Sequence, residues 1–292
     1  MSTKTLLPIL AALPRGLLAL LGYMIGLLFW LLPTKKRRIT YINLQLCLPA
    51  VTGWSRHNLA RRSLINEAQT LLEIPALLKM PVSQVDNIVK KVIGETHLQQ
   101  AFSQQQGVIL AIPHLGNWEI IGLYVSLRYP MTSLYRPQHR SPELDQFIRT
   151  GRQRFGANLV PTDTTGVRSL YKALAANEVV AILPDQKPAP GAGVFAPFFK
   201  QPTYTMVLLS RLAQRQQSTV LYCYTERLSW GRGFNLHLIP ADESVTAKDP
   251  VQSATALNAG IEACIKNNLS QYWWSYKRFN TATDEQPSPY SK

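Results

Sequence analysis

Acidic side chains and cysteines are both scarce in this chain of 292 residues. Asp and Glu number 17 against 31 Lys and Arg, and no acidic residue precedes Glu67. Cys47, Cys223 and Cys264 are odd in number and far apart, which excludes a disulfide framework and a zinc knuckle. They fit a reducing compartment and read as small core residues. No internal repeat and no long low-complexity linker interrupts the chain, so one main domain is expected. Apolar residues make up 46% of it, which excludes disorder except from about Thr281, where Asp-Glu-Gln-Pro-Ser-Pro has no periodic apolar face.

What is present in excess is positive charge, +14 overall, and it is uneven. Lys4, Arg15, Lys35, Lys36, Arg37, Arg38, Arg56, Arg61 and Arg62 all stand ahead of Glu67. Such a field favours an anionic partner. Nucleic acid is one such partner, but no recognition-helix signature, zinc spacing or RNP-type aromatic pattern accompanies the charge, and no nucleic acid is expected here. An anionic membrane surface is the better reading, because Lys35 to Arg38 follow an apolar segment directly.

That segment, Gly16 to Leu32, holds 17 residues without a charge. As a helix it reaches about 25 Å, short of the roughly 30 Å hydrocarbon core. A cleaved signal peptide fits poorly, since the basic run lies after the apolar stretch and no A-x-A-like site follows. Residues 1–32 are therefore expected to be an N-terminal membrane anchor, either spanning the bilayer or half-embedded, with the Lys/Arg bias holding the C-terminal side in the cytoplasm. A buried core helix is the competing reading. Residues 33–280 form the main domain and 281–292 a tail.

Arg56 to Lys79 has helical spacing, with Leu59, Leu64, Ala68, Leu71, Leu72 and Leu78 as buried candidates. Short β-like runs follow at 108–112, 131–135, 158–160, 179–183, 220–224 and 234–239. Helical stretches are interleaved near 117–128, 141–154, 166–176, 204–215 and 251–269. This alternation predicts an α/β fold, a layered mixed sheet flanked by helices, with ligands at the carboxyl ends of the strands.

His114-Leu-Gly-Asn-Trp-Glu119 leaves the first of these runs. Its spacing is wrong for a partnership on regular structure, because i and i+5 lie about 140° apart on a helix and on opposite faces of a strand. Gly116 permits a turn and Asn117 is a good N-cap, so a loop carrying His114 and a helix starting with Glu119 are expected. The imidazole and carboxylate then form a base with an orienting partner, or else a loop histidine beside a dipole-favoured glutamate. Asp185 and Gln186 follow another β-like run, either displayed in a cleft or capping a turn before Pro188. Arg136, His139, Arg140, Arg149, Arg152 and Arg154 form a basic cluster suited to bidentate phosphate contacts, or a solvated helix face.

Taken together, Asn43-Leu-Gln-Leu-Cys-Leu-Pro49, Val92-Ile-Gly-Glu-Thr-His-Leu98, Gly107 through Glu119, Tyr135-Arg-Pro137, Gly151-Arg152, Leu183-Pro-Asp-Gln186 and Gln271 through Phe279 occur in an order that resembles the late lipid A acyltransferases. These are the lauroyl and myristoyl transferases of Gram-negative bacteria. The resemblance implies transfer of a fatty acyl group from an acyl carrier protein thioester to a hydroxyl of a Kdo-lipid A precursor, with no cofactor and no metal, at the cytoplasmic face of the inner membrane. It implies His114 as general base with Glu119, an active-site role for Asp185, and a functional arginine at Arg152, for which Arg154 is a rival. Asn117, Arg136, Arg149, Arg154, Gln186 and Arg278 are the expected substrate contacts, Arg278 meeting a phosphorylated headgroup. Phe195, Phe198 and Phe199 line an acyl groove or belong to the core.

The chain departs from the family pattern at Tyr276, where a His is common, and at Lys200, where many members have Gly. The nearest alternative is a phospholipid or glycolipid acyltransferase acting on lysophosphatidate or a mannosylated phosphatidylinositol. Glycerophosphate-type enzymes usually carry His-x4-Asp and Phe-Pro-Glu-Gly, which this chain lacks. A non-catalytic membrane-docking protein of the same fold is the remaining reading.

Overall fold

The computed structural model describes residues 3–138, 141–280 and 288–291. The chain begins with four helices, α1 (Thr3–Ala12), α2 (Arg15–Leu31), α3 (Lys35–Cys47) and α4 (Gly53–Lys79). It then alternates α5 (Val85–Ile88), β1 (Val89–Ile93), α6 (Glu95–Ser103), β2 (Val108–Ala111), α7 (Glu119–Ser126), β3 (Met131–Tyr135), α8 (Pro142–Gln153), β4 (Asn158–Pro161), α9 (Thr164–Ala175) and β5 (Val179–Ile182). A hairpin of β6 (Gly193–Phe198) and β7 (Gln201–Met206), then α10 (Leu208–Gln216), β8 (Thr219–Arg227), β9 (Phe234–Pro240) and α11 (Pro250–Asn267), complete it.

The main sheet has seven strands in the order β1-β9-β8-β2-β5-β3-β4. It is mixed: β9 runs antiparallel to β8 and parallel to β1, and the remaining neighbours are parallel. Buried β2 and β5 carry unbroken apolar runs, as strands covered on both faces must. One face packs Leu170, Leu209, Leu257 and Trp274 against Ile109, Val180 and Tyr222. The other packs Leu98, Ile120 and Phe155 against Leu110, Ala181 and Cys223.

Most expected elements lie within a few residues of their observed ends. Two differences stand out. Residues 204–215, expected as one helix, divide into the end of β7 and α10, with Val207 between them. The phenylalanines of 193–199 lie on the β6–β7 hairpin, where Phe198 is 1% exposed and Phe195 48%. Phe198 is core; Phe195 faces out.

The segment expected as an anchor behaves differently from a free span. No single helix among the described residues is long and apolar enough to cross a membrane. Instead α2 lies along α4, burying Leu18, Ala19, Gly22 and Gly26. A Cβ on Gly26 would fall 2.3 Å from the Cα of Ile65, so glycine is what allows the two backbones to approach. The described part of this segment, residues 3–32, is therefore built onto the body of the domain. The opposite face of α2 stays apolar and exposed, with Leu17, Leu20, Met24, Leu28 and Leu31 each 40–56% accessible. At Pro33 the chain bends by 77° into α3, whose N-cap Thr34 accepts a hydrogen bond from the Arg37 amide at 3.1 Å.

At the other end, residues 281–287 and 292 of the expected tail lie outside the described residues. Tyr290 differs from a loose tail: it is 7% exposed, its hydroxyl donating to Asn43 Oδ1 at 2.5 Å and accepting from the Phe279 amide at 3.2 Å.

Candidate active site

Parallel register places the site. Ala111 at the end of β2 stands opposite Ile182 at the end of β5, so these two strands release their chains at the same edge of the sheet, while neighbouring β8 runs on from Tyr222 to Arg227. Three residues on, His114 and Asp185 meet. The His114 amide donates to Asp185 Oδ2 at 2.8 Å and ring Nδ1 lies 2.7 Å from Oδ1. Because a carboxylate only accepts, Nδ1 bears the proton, and in the neutral ring Nε2 carries the lone pair. The Gln186 side-chain amide, 3.0 Å away, faces that Nε2.

The carboxylate on His114 is thus Asp185, where Glu119 was expected. Both Glu119 oxygens are taken by Arg152, with Nε at 2.9 Å and one Nη at 2.5 Å, a bidentate fork on a side chain 6% exposed. Burial works against the charge of Arg152, but the attraction and hydrogen bonds of Glu119 outweigh it and raise its pKa. For Asp185, burial alone would raise the pKa; His114 and Arg278 reverse this and hold it below the usual carboxylate range. Tyr272 is buried, and its burial followed by the charge of Asp185 pushes its hydroxyl well up.

The loop between His114 and Glu119 is held on every side. Gly116 adopts φ +68°, and a Cβ there would sit 1.8 Å from the Thr225 carbonyl oxygen. Its amide donates to Gln271 O at 3.1 Å and its carbonyl accepts from Thr70 Oγ1 at 3.0 Å. Thr225 Oγ1 accepts from the Asn117 amide at 2.8 Å and donates to the Asn117 carbonyl at 3.0 Å. Asn117 is not the N-cap expected of it. Helix α7 is preceded by Trp118 without a side-chain cap, and the Asn117 amide group instead donates to Glu73 Oε2 at 3.0 Å. Glu73 in turn is gripped by Arg227, whose Nη2 lies 2.8 Å from Oε2; both side chains are nearly buried.

Around His114 stands an aromatic wall. Trp118 and Trp273 meet its ring edge-on at centroid distances of 4.6 and 6.0 Å and contact each other at 4.9 Å. Lys36, paired with Glu67, lies over Trp273 and Phe29, linking this wall to the N-terminal helices.

The other expected contacts are scattered. Gln186 reaches His114; Arg136 and Arg149 are exposed beyond β3 and on α8. Arg154 points away from Glu119 and donates to the carbonyls of Leu78, Lys79 and Met80, closing the end of α4. Arg278 cannot meet a headgroup, being 3% exposed and donating to Tyr204 O at 2.7 Å and Thr205 Oγ1 at 3.0 Å. Tyr276, in place of the common His, accepts from the Lys187 amide at 3.0 Å and so fixes the turn after Asp185. His139 and Arg140 lie outside the described residues. Sequence reasoning missed Glu73, Thr225 and Arg227. For Glu73 the signal was a polar row on α4, Ser63, Thr70 and Glu73, at helical spacing among apolar residues; Thr225 and Arg227 lie on β8.

The profile of the bacterial lipid A biosynthesis acyltransferases matches residues 4–281. The chain belongs to that family. As a lipid A acyltransferase-family protein it is similar to the lipid A biosynthesis lauroyltransferase of Escherichia coli K12, at 26% identity over 95% of this chain and 90% of the relative. A lipid A biosynthesis acyltransferase of Haemophilus influenzae is 27% identical over 86% of this chain and 77% of its own. A phosphatidylinositol mannoside acyltransferase of Mycobacterium tuberculosis H37Rv is 27% identical over 54% of this chain and 49% of its own. The protein is an acyltransferase of lipid A biosynthesis by family.

Proposed function

We propose that the chain moves a fatty acyl group from an acyl carrier protein thioester to a hydroxyl of a Kdo-bearing lipid A precursor, working at the cytoplasmic face of the inner membrane. The observation that carries the mechanism is the Asp185 carboxylate on Nδ1 of His114, which leaves Nε2 as the base. The acceptor hydroxyl displaces the exposed Gln186 amide, gives its proton to Nε2 and attacks the thioester carbonyl carbon. The tetrahedral oxyanion collapses, the C–S bond breaks, and the thiolate takes the proton back from the imidazolium. Arg152, anchored through Nε and one Nη by Glu119, has a second Nη to turn toward the oxyanion. Glu119 therefore acts through Arg152.

The exposed apolar face of α2 supports a membrane-surface location. A helix buried on one side and apolar on the other lies in the interface plane. The basic surface suits both an acidic carrier protein and a phosphorylated acceptor. The mannoside relatives match about half of the chain, less than the lipid A relatives do, and so favour the lipid A acceptor.

The test is acyl transfer by the purified protein from an acyl-carrier thioester to either a Kdo-bearing lipid A precursor or lysophosphatidate, with mass spectrometry of the product. Acylation of the first and its loss in folded His114→Ala support the reading. Acylation of lysophosphatidate alone, or wild-type rates in His114→Ala, sink it.

A further inference from the structure

Beside Ser270 and Gln271, a cavity of about 470 Å³ opens between α2, α4 and the turn after β8; neither His114 nor Asp185 lines it. Arg61, Arg62, Asn58, Asn66 and Gln69 line it, and none of its lining residues is acidic. Arg227 forms part of the floor, but its charge is matched by Glu73. Arg61 donates to Asn58 Oδ1 at 2.9 Å, and neither Arg61 nor Arg62 has an ion pair among the described residues. Two arginines lining one cavity, supplemented by neutral amide side chains, make a site for a phosphate rather than for a neutral sugar.

The mouth of the cavity says where that phosphate comes from. Trp230, on the turn after β8, is 70% exposed and held at φ 58°, and Tyr23 of α2 is 36% exposed beside it. Leu20 and Met24, next to Tyr23 on α2, are exposed as well. An aromatic rim continuous with an apolar helix face is the pattern of a surface seated at headgroup depth. A large exposed tryptophan in a left-handed backbone has no packing role to account for it.

We propose that this cavity binds the phosphate of an anionic lipid headgroup, at a site separate from the His114 centre. Its inner wall reaches the catalytic loop through Gln271, whose carbonyl holds the Gly116 amide, and through the Arg227–Glu73–Asn117 chain. The inference does not depend on the acyl-transfer chemistry.

The test is flotation of the full chain with phosphatidylcholine vesicles, with and without phosphatidic acid. Arg61→Gln/Arg62→Gln should weaken binding to the phosphatidic acid vesicles about tenfold or more, the weight of one or two charge-assisted hydrogen bonds. Arg61→Lys/Arg62→Lys should recover part of it, since charge is kept and the fork is lost. Arg211→Gln/Arg215→Gln, the same charge change on α10, should bind like wild type. An equal loss in that control, or no loss in the first pair, overturns the proposal. Inorganic phosphate that raises the melting temperature through Arg61 and Arg62, with vesicle binding indifferent to both, overturns the lipid assignment in favour of a soluble phosphate. His114→Ala should lose transfer and keep the arginine-dependent vesicle binding.

Discussion

Asp185→Asn keeps the shape of the side chain and exchanges one oxygen for an amide nitrogen. Both Asp185 oxygens accept: Oδ2 from the His114 amide at 2.8 Å, and Oδ1 from the protonated Nδ1 at 2.7 Å. An amide has one accepting end, so in either orientation one donor faces another donor. With the NH2 toward the ring, the imidazole must move its proton to Nε2 and no longer has a lone pair to offer the acceptor hydroxyl. With the NH2 toward the backbone, a buried amide loses its partner, which costs about 1–3 kcal/mol. The imidazolium formed during transfer loses its counter-charge in both cases. The same change in a serine-protease triad lowers kcat about 10⁴-fold, and a loss of roughly 10³–10⁴-fold is expected here, or about 4–5 kcal/mol in the barrier. The assay is steady-state acyl transfer on protein shown to be folded by circular dichroism and thermal melting, with kcat and KM determined separately for donor and acceptor. The drop should fall on kcat. A folded Asp185→Asn within tenfold of the wild-type kcat refutes the assignment of Asp185 as the partner of His114.

Three further outcomes are expected. Arg152→Gln should lower kcat by about 10²–10³-fold, because the Glu119 carboxylate loses its fork and the oxyanion its donor, whereas Arg154→Gln should cost no more than about 1 kcal/mol of stability at the end of α4 and leave kcat near wild type; equal kinetic losses in the two would contradict the geometry. Glu73→Leu should destabilise the fold by about 3–5 kcal/mol, since it leaves Arg227 buried without its carboxylate, and chemical denaturation reads this directly. The pH dependence of stability should also change in Asp185→Asn. The Asp185 pKa in the folded protein lies below its unfolded value of about 3.9, so its contribution is present above that pH and is lost as pH falls through the folded value. Acid unfolding of wild type should therefore be steeper below about pH 4 than that of the variant, and parallel curves would contradict it.

The α/β class was legible because its signals are local. The runs 108–112 and 179–183 are too short for helices and too apolar for surface loops, and buried parallel strands need just that. Strand β1 and the β6–β7 hairpin were not read. β1, Val-Lys-Lys-Val-Ile, shows its apolar face only once β9 lies beside it, and β6 contains Pro197, which argues locally against a strand. The apolar stretch 16–32 was legible as a helix, but its composition could not separate a bilayer from a partner helix. Gly22 and Gly26 against α4 decided that, through a contact with residues some forty positions away.

By itself, the sequence determined the family, the strand that ends at His114, the glycine that turns the loop after it, and the excess of positive charge. It did so because strand propensity, backbone conformation and charge are properties of single residues and near neighbours. Only the tertiary structure decided which carboxylate serves which partner. Glu119 is five residues from His114 and Asp185 seventy-one, yet the imidazole meets Asp185, because parallel β2 and β5 end side by side while the first turn of α7 carries Glu119 to Arg152. Hydrogen bonds depend on distance in space, and the register of the sheet sets that distance.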